Sequence, residues 1–154
     1  MEELRKLVLD FRRVMECLNP SDFEGTSLSV SKFPSACCDD SSQILAAYLT
    51  DNGFAGARLI RGEYGGKNEE LGSHVWLSFE GFKIDITADQ FNEIGYENPQ
   101  VIIARENEFL ESFEVTNDGI ADFRIHLKAY SDQGLEREFD SCYKVILSHL
   151  LIQA

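Results

Sequence analysis

Positive charge is what this chain has least of: 14 lysines and arginines stand against 27 aspartates and glutamates, a formal net charge of -13. A field of that sign repels phosphate backbones and anionic lipid surfaces, so nucleic acid is not an expected partner. Proline and glycine, at 3 and 11 residues, are too few and too scattered for a low-complexity chain. No apolar run approaches the roughly 20 residues that span a bilayer. The opening MEELRKLVLDFRR interrupts its apolar positions with acids and arginines, the wrong layout for a secretory signal. The expectation is a cytoplasmic protein with no membrane partner. Four cysteines, two of them adjacent, do not form the spaced framework of a disulfide scaffold. Nor are they paired at the two-to-four-residue spacing that structural zinc uses, so no metal is expected. Tyr64-Gly65-Gly66-Lys67 lacks both the spacing of a phosphate loop and the Ser or Thr after its Lys, and no cofactor is expected.

What is present is enough for one globular domain, 1–154. At this length a chain buries about two-thirds of the surface it exposes when unfolded, and 44% of its residues are hydrophobic. Leu4, Leu7, Val8, Phe11, Val14, Met15 and Leu18 recur at three- and four-residue intervals and predict a helix over 3–18, stopped by Asn19-Pro20. On it, Arg5, Lys6, Arg12 and Arg13 lie among acids and read as a solvated face. A Ser-, Gly- and Pro-containing loop over 21–34 leads to a second helix over 38–52, ended by Gly53. The period then changes. Strands are predicted at 57–63, 73–79, 82–87, 101–104 and 122–127, with a closing helix over 135–151. A helix followed by an antiparallel sheet is an α+β class. Cys17 and Cys142, in apolar helical stretches, read as core residues.

Two stretches carry chemistry. In Phe33-Pro34-Ser35-Ala36-Cys37-Cys38-Asp39-Asp40-Ser41-Ser42-Gln43, Cys38 stands where a loop becomes a helix. The unpaired N–H groups and positive dipole end found there favour a thiolate. Asp39 and Asp40 oppose it, so a neighbouring imidazolium is needed to offset them. The second stretch is Ser73-His74-Val75-Trp76-Leu77-Ser78-Phe79-Glu80-Gly81-Phe82-Lys83-Ile84-Asp85-Ile86-Thr87. With Glu80-Gly81 as a two-residue turn, Phe79 pairs with Phe82 and Trp76 with Asp85, which makes His74 and Asp85 diagonal neighbours on one face. Val75, Leu77, Ile84 and Ile86 then share the opposite, apolar face. A nucleophilic Cys, a base that takes its proton and a carboxylate that orients the base are the parts of thiol catalysis.

Over residues 33–91 the chain resembles the transglutaminase-like branch of the papain-like cysteine enzymes. There a Cys opens a helix that Gly ends, a strand then carries His near an aromatic residue, and the next strand carries Asp before a Thr. Cys38, Gly53, His74-Val75-Trp76 and Asp85-Ile86-Thr87 follow that order. The resemblance implies a papain/transglutaminase-like fold with the nucleophile helix packed on an antiparallel sheet, and a catalytic triad Cys38, His74 and Asp85. The activity implied is acyl transfer from an amide or thioester carbonyl through a thioacyl intermediate: peptide hydrolysis, deamidation or transglutamination. Acetyl transfer from a coenzyme thioester uses the same triad, but so short a chain shows no separate domain for the coenzyme.

The doubled cysteine departs from the family pattern and leaves Cys37 as a rival nucleophile. The backbone N–H of Cys38 is the natural first oxyanion donor; Lys32, Ser35 and Gln90 are candidates for the second. Trp76 and Gln90 are the candidate substrate contacts, and His126 and His149 read as structural. Asp39, Asp40 and Asp89 near the nucleophile point to a neutral or cationic protein or peptide substrate. The alternative from another class is a domain that keeps this fold with an idle triad and serves as a binding or scaffolding module.

Overall fold

The computed structural model describes residues 1–153, and its order follows from where apolar side chains can be buried. α1 (Glu2–Cys17) turns Leu4, Val8, Phe11, Val14 and Met15 inward on one stripe. α2 (Cys38–Asp51) is buried almost all round from Ser41 to Ala47, because its small residues let neighbours approach closely. α5 (Gln133–Gln153) contributes Phe139, Cys142, Tyr143 and Ile146, and these three helices pack together over one face of a sheet.

That sheet has five antiparallel strands, β1 (Arg58–Glu63), β2 (His74–Phe79), β3 (Phe82–Asp85), β4 (Ile102–Ala104) and β5 (Glu114–Ile120), in the order β4-β3-β2-β1-β5. Leu59, Val75, Leu77, Ile84 and Ile86 meet the three helices. The fold is therefore α+β, an antiparallel sheet packed with helices. The second face bears a smaller core of Trp76, Ile102 and Phe113, with Ala88 and Leu110 above it, the latter from the single-turn α3 (Glu108–Glu111). Phe113 sits close because Gly62 lies under it: a Cβ there would stand 2.6 Å from the Phe113 Cβ.

Three sequence expectations change. Residues 122–127 are not a strand: α4 (Phe123–His126) is a single helical turn, capped by Asp122, whose side chain accepts the Arg124 N–H at 3.0 Å. Phe123 and Leu127 are buried while Ile125 is 52% exposed, the one-turn spacing of a helix rather than strand alternation. The missing strand is β5, polar and exposed at the edge. Arg12 is not part of a solvated face: at 5% exposure its guanidinium reaches both Asp89 oxygens at 2.7 Å, the Ile86 carbonyl at 2.6 Å and the Gln100 carbonyl at 3.0 Å. Cys17, at the end of α1, is exposed, whereas Cys142 is buried. No helix among the described residues is long and apolar enough to cross a membrane.

Candidate active site

The start of α2 is built to leave its N–H groups free. Ala36 turns the chain with φ of 55°, Cys37 occupies the cap position, and its side chain makes no capping bond. The two acids of the first turn look elsewhere. Asp39 accepts the Gln43 amide at 2.7 Å and Arg61 at 2.9 Å, and Asp40 accepts the Ser27 N–H at 2.8 Å. The first-turn donors and the dipole end thus remain uncovered at Cys38. Arg61 also offsets the Asp39 charge that would oppose a thiolate. Burial raises the Asp40 carboxyl, with the Ser27 contacts pulling the other way.

Chemistry separates the doubled cysteines. Cys37 is 1% exposed, and burial, with Cys38 and Asp40 adding to it, pushes its thiol up to about 12. It is a core residue and a poor nucleophile. Cys38, one residue on, is half-buried and faces the hairpin's histidine.

The hairpin has the expected register. Glu80 and Gly81 both have positive φ, 47° and 85°, the two-residue turn whose twist suits a hairpin, and Phe79 pairs with Phe82, Ser78 with Lys83 and Leu77 with Ile84. His74 and Asp85 fall on one face, with His74 Nε2 2.6 Å from Asp85 Oδ2. The other carboxylate oxygen accepts the Thr87 N–H at 2.8 Å and the Thr87 hydroxyl at 3.3 Å. Arg12 grips the intervening Ile86 carbonyl from behind, so the segment carrying Asp85 is held from both sides.

His74 is wholly buried. Burial by itself lowers its pKa, but the Asp85 charge and hydrogen bond, with smaller contributions from Cys38, outweigh it and raise it to about 10. Nδ1 is buried without a hydrogen bond of ordinary geometry, and Cys38 is near enough to favour the charged ring. Contacts of this kind commonly tighten only when substrate binds. Four aromatic rings enclose the imidazole: Phe91, Trp76, Phe113 and Phe109, with centroids at 5.0, 5.6, 5.8 and 6.4 Å.

The remaining candidates are placed as follows. Trp76, 2% exposed, is a wall of the imidazole's enclosure rather than a surface open to substrate. Gln90 is half-buried and donates one amide hydrogen to the Thr87 carbonyl at 3.0 Å, beside the site but turned to its own segment. Lys32 is spent on the last carbonyls of α1, those of Glu16 and Leu18. Ser35 is exposed. His126 and His149 contact the carbonyls of Ile120 and Val145 at 3.2 and 2.9 Å. Among the described residues no group of three His, Cys, Asp or Glu is placed to hold a metal ion.

Sequence reading missed Phe91, Phe109 and Phe113, which come from a stretch with no periodic signal, and the pairing of Arg12 with Asp89 across 77 positions. Thr87, two residues after Asp85, carried a signal in its spacing, since a hydroxyl there commonly folds back on its neighbour.

Taken together, a half-buried thiol at an uncapped helix start, an imidazole beside it and a doubly held carboxylate behind can pass a proton from sulfur to nitrogen and keep the resulting charge. Compared with protein-family models, with curated proteins and with solved structures, the chain has no match.

Proposed function

We propose that this chain is a thiol-dependent acyl-transfer enzyme of the papain and transglutaminase-like type, with Cys38 as nucleophile, His74 as base and Asp85 as orienting carboxylate. One observation carries the reading: His74 is fixed to Asp85 at 2.6 Å through Nε2, which leaves Nδ1, with no hydrogen-bond partner among the described residues, for the Cys38 thiol. In the reactive form the Cys38 proton already resides on His74, as a thiolate–imidazolium pair, and Cys38 Sγ attacks an amide or thioester carbonyl. The carbonyl oxygen gains negative charge and meets the Cys38 N–H and the free donors of the α2 start. His74 then returns the proton to the leaving group, and the thioacyl bond is broken by water or an amine. Hydrolysis, deamidation and cross-linking share this first half.

The substrate class we favour is a neutral or cationic peptide in the cytoplasm. Asp39 and Asp89 are paired with Arg61 and Arg12, so this preference rests on the overall charge of -13 and not on those carboxylates.

The test compares two accessible thiols. Cys17 is exposed but has no histidine, whereas Cys38 is less exposed and has one. A dilute thiol alkylator near pH 7 should modify Cys38 roughly tenfold faster or more, because an unassisted thiol is only a few per cent ionised there. His74→Ala should remove the advantage and leave Cys17 unaffected. If the Cys38 rate and its pH profile survive that substitution, the two residues are uncoupled and a binding module with an idle triad becomes the better reading.

A further inference from the structure

Arg12 joins the two arms of the candidate site. On the acid side, β3 ends at Asp85 and β4 begins at Ile102, the two residues paired with each other, and residues 86–101 leave the sheet between them. Arg12 Nη1 donates to a carbonyl on each side of that opening, Ile86 at 2.6 Å and Gln100 at 3.0 Å. It closes the mouth of the strand pair directly behind Asp85. On the nucleophile side, the same guanidinium lies over the Phe33 ring, 4.9 Å from its centroid. Phe33 is 7% exposed and opens the stretch that turns at Ala36 and delivers Cys38 to the start of α2. The guanidinium charge is also felt at the Cys37 sulfur, where it opposes part of the rise that burial causes.

These contacts use the features that separate arginine from lysine. Nε donates to Glu16 at 2.5 Å, and Nη1 and Nη2 meet the two Asp89 oxygens at 2.7 Å. A planar fork with five donors can do this, reach two carbonyls and still present a face to a ring; an ammonium, with three donors and no face, cannot. Burial of the cation requires counter-charge, and Asp89 and Glu16 supply it. The remaining contacts, to the two carbonyls and the ring, are the ones that lead to the site.

The step from Cys38 to His74 is the joint that no hydrogen bond of ordinary geometry closes, since His74 Nδ1 is buried without a partner among the described residues. His74 itself is fixed to Asp85 at 2.6 Å. The gap between sulfur and imidazole is therefore set by where the start of α2 lies relative to the strand that carries Asp85. Arg12 touches the approach to both. A misplacement of about 1 Å at a reacting centre can cost on the order of 100-fold in rate. We propose that Arg12 is a positioning residue for the reaction: through Phe33 and Ile86 it holds the Cys38 sulfur in register with the His74–Asp85 pair. For the role of the thiol, this rests on the acyl-transfer reading above.

The experiment uses the full chain and two readouts. One is the rate of Cys38 alkylation near pH 7, with Cys17 as internal reference; the other is the NMR signal of the proton between His74 Nε2 and Asp85. Arg12→Lys keeps the charge and loses the fork and the stack. At a temperature where it is folded, it should slow Cys38 about tenfold or more, leave Cys17 unchanged, and shift or broaden the imidazole signal. Phe33→Leu loosens the nucleophile arm alone, so it should slow Cys38 several-fold while the imidazole signal stays in place. If Arg12→Lys fails to fold, the Phe33→Leu rate decides. Leu4→Ala, on the buried stripe of the same helix, is the control for stability. At an equal or greater fall in thermal midpoint it should change neither readout. An unchanged Cys38 rate in Arg12→Lys and Phe33→Leu, an unmoved imidazole signal in Arg12→Lys, or an equal slowing by Leu4→Ala would overturn the proposal. A Cys38 no faster than Cys17 in the unaltered chain would instead overturn the acyl-transfer reading, and the imidazole signal would still report whether Arg12 positions Asp85.

Discussion

The two faces of the sheet are covered by different chemistry. Toward α1, α2 and α5 the contact is aliphatic, Leu59, Val75, Leu77, Ile84 and Ile86 against helix stripes. The opposite face carries His74, Trp76 and Asp85 beneath Phe91, Phe109 and Phe113, and over it lie the single-turn α3, the segment 88–96 and Leu71 from the loop after β1. Aliphatic packing suits a face whose task is to bury area. A buried imidazolium needs more than exclusion of water, because desolvation alone would discharge it. Here the Asp85 carboxylate offsets that cost, and the rings around the pair keep water from screening it. One face maintains the fold, and the other maintains a charge inside it.

That division can be tested by substitution, the largest effect first. Leu77→Ala on the helix side should lower stability by about 2–5 kcal/mol in urea unfolding. It should leave the alkylation rate of Cys38 in the folded chain alone. An equal fall in both would show the faces to be one system.

Alkaline titration comes next. The folded His74 holds its proton more tightly than the unfolded chain does, so the stability from its pairing is complete below about pH 6.5. It is lost as pH rises through about 10. Cys37 adds to the alkaline loss, since its raised thiol is also easier to ionise unfolded. The control is therefore Asp85→Asn, which should show a smaller fall in thermal midpoint between pH 7 and pH 10.

Phe91→Leu should cost only about 0.5–1.5 kcal/mol, the worth of an aromatic pair beyond its area, yet slow Cys38 alkylation several times more than Leu77→Ala does. The smallest effect belongs to β5, beyond both cores. There Val115→Thr, at a position 60% exposed, should change stability within about 0.5 kcal/mol and leave Cys38 untouched.

Much of the geometry of the candidate site was legible because it depends on local rules. The Cys38 helix start and the parity of the Glu80-Gly81 hairpin are set by neighbours a few residues away, and a two-residue turn leaves one register. The enclosure of His74 was not legible, since Phe91, Phe109 and Phe113 have no shared period and meet only once β4 and β5 are in place. Residues 122–127 misled because Phe123, Ile125 and Leu127 alternate like a strand, while Asp122 caps a turn that buries the first and third and exposes the second. β5 was silent, being polar at four of its seven positions and held by backbone pairing to β1. Arg12 showed its local partner, Glu16, at helical spacing, but nothing in its surroundings named Asp89.

Arg12 also has a consequence in time. It lies on α1, and its partners Ile86, Asp89 and Gln100 follow 74 to 88 positions later in the chain. At ribosomal rates of ~5–20 residues per second that interval is on the order of ten seconds. During it, Arg12 has its helical partner Glu16 but not yet the Asp89 carboxylate and the two carbonyls that bury its guanidinium. The thiol of Cys38 is made in the same interval, before the histidine and the carboxylate exist. The residue that holds the segment behind Asp85 thus ties assembly of the candidate site to synthesis of the chain through Gln100, so a nascent chain carries the Cys38 sulfur for some time before it carries the imidazole and the carboxylate.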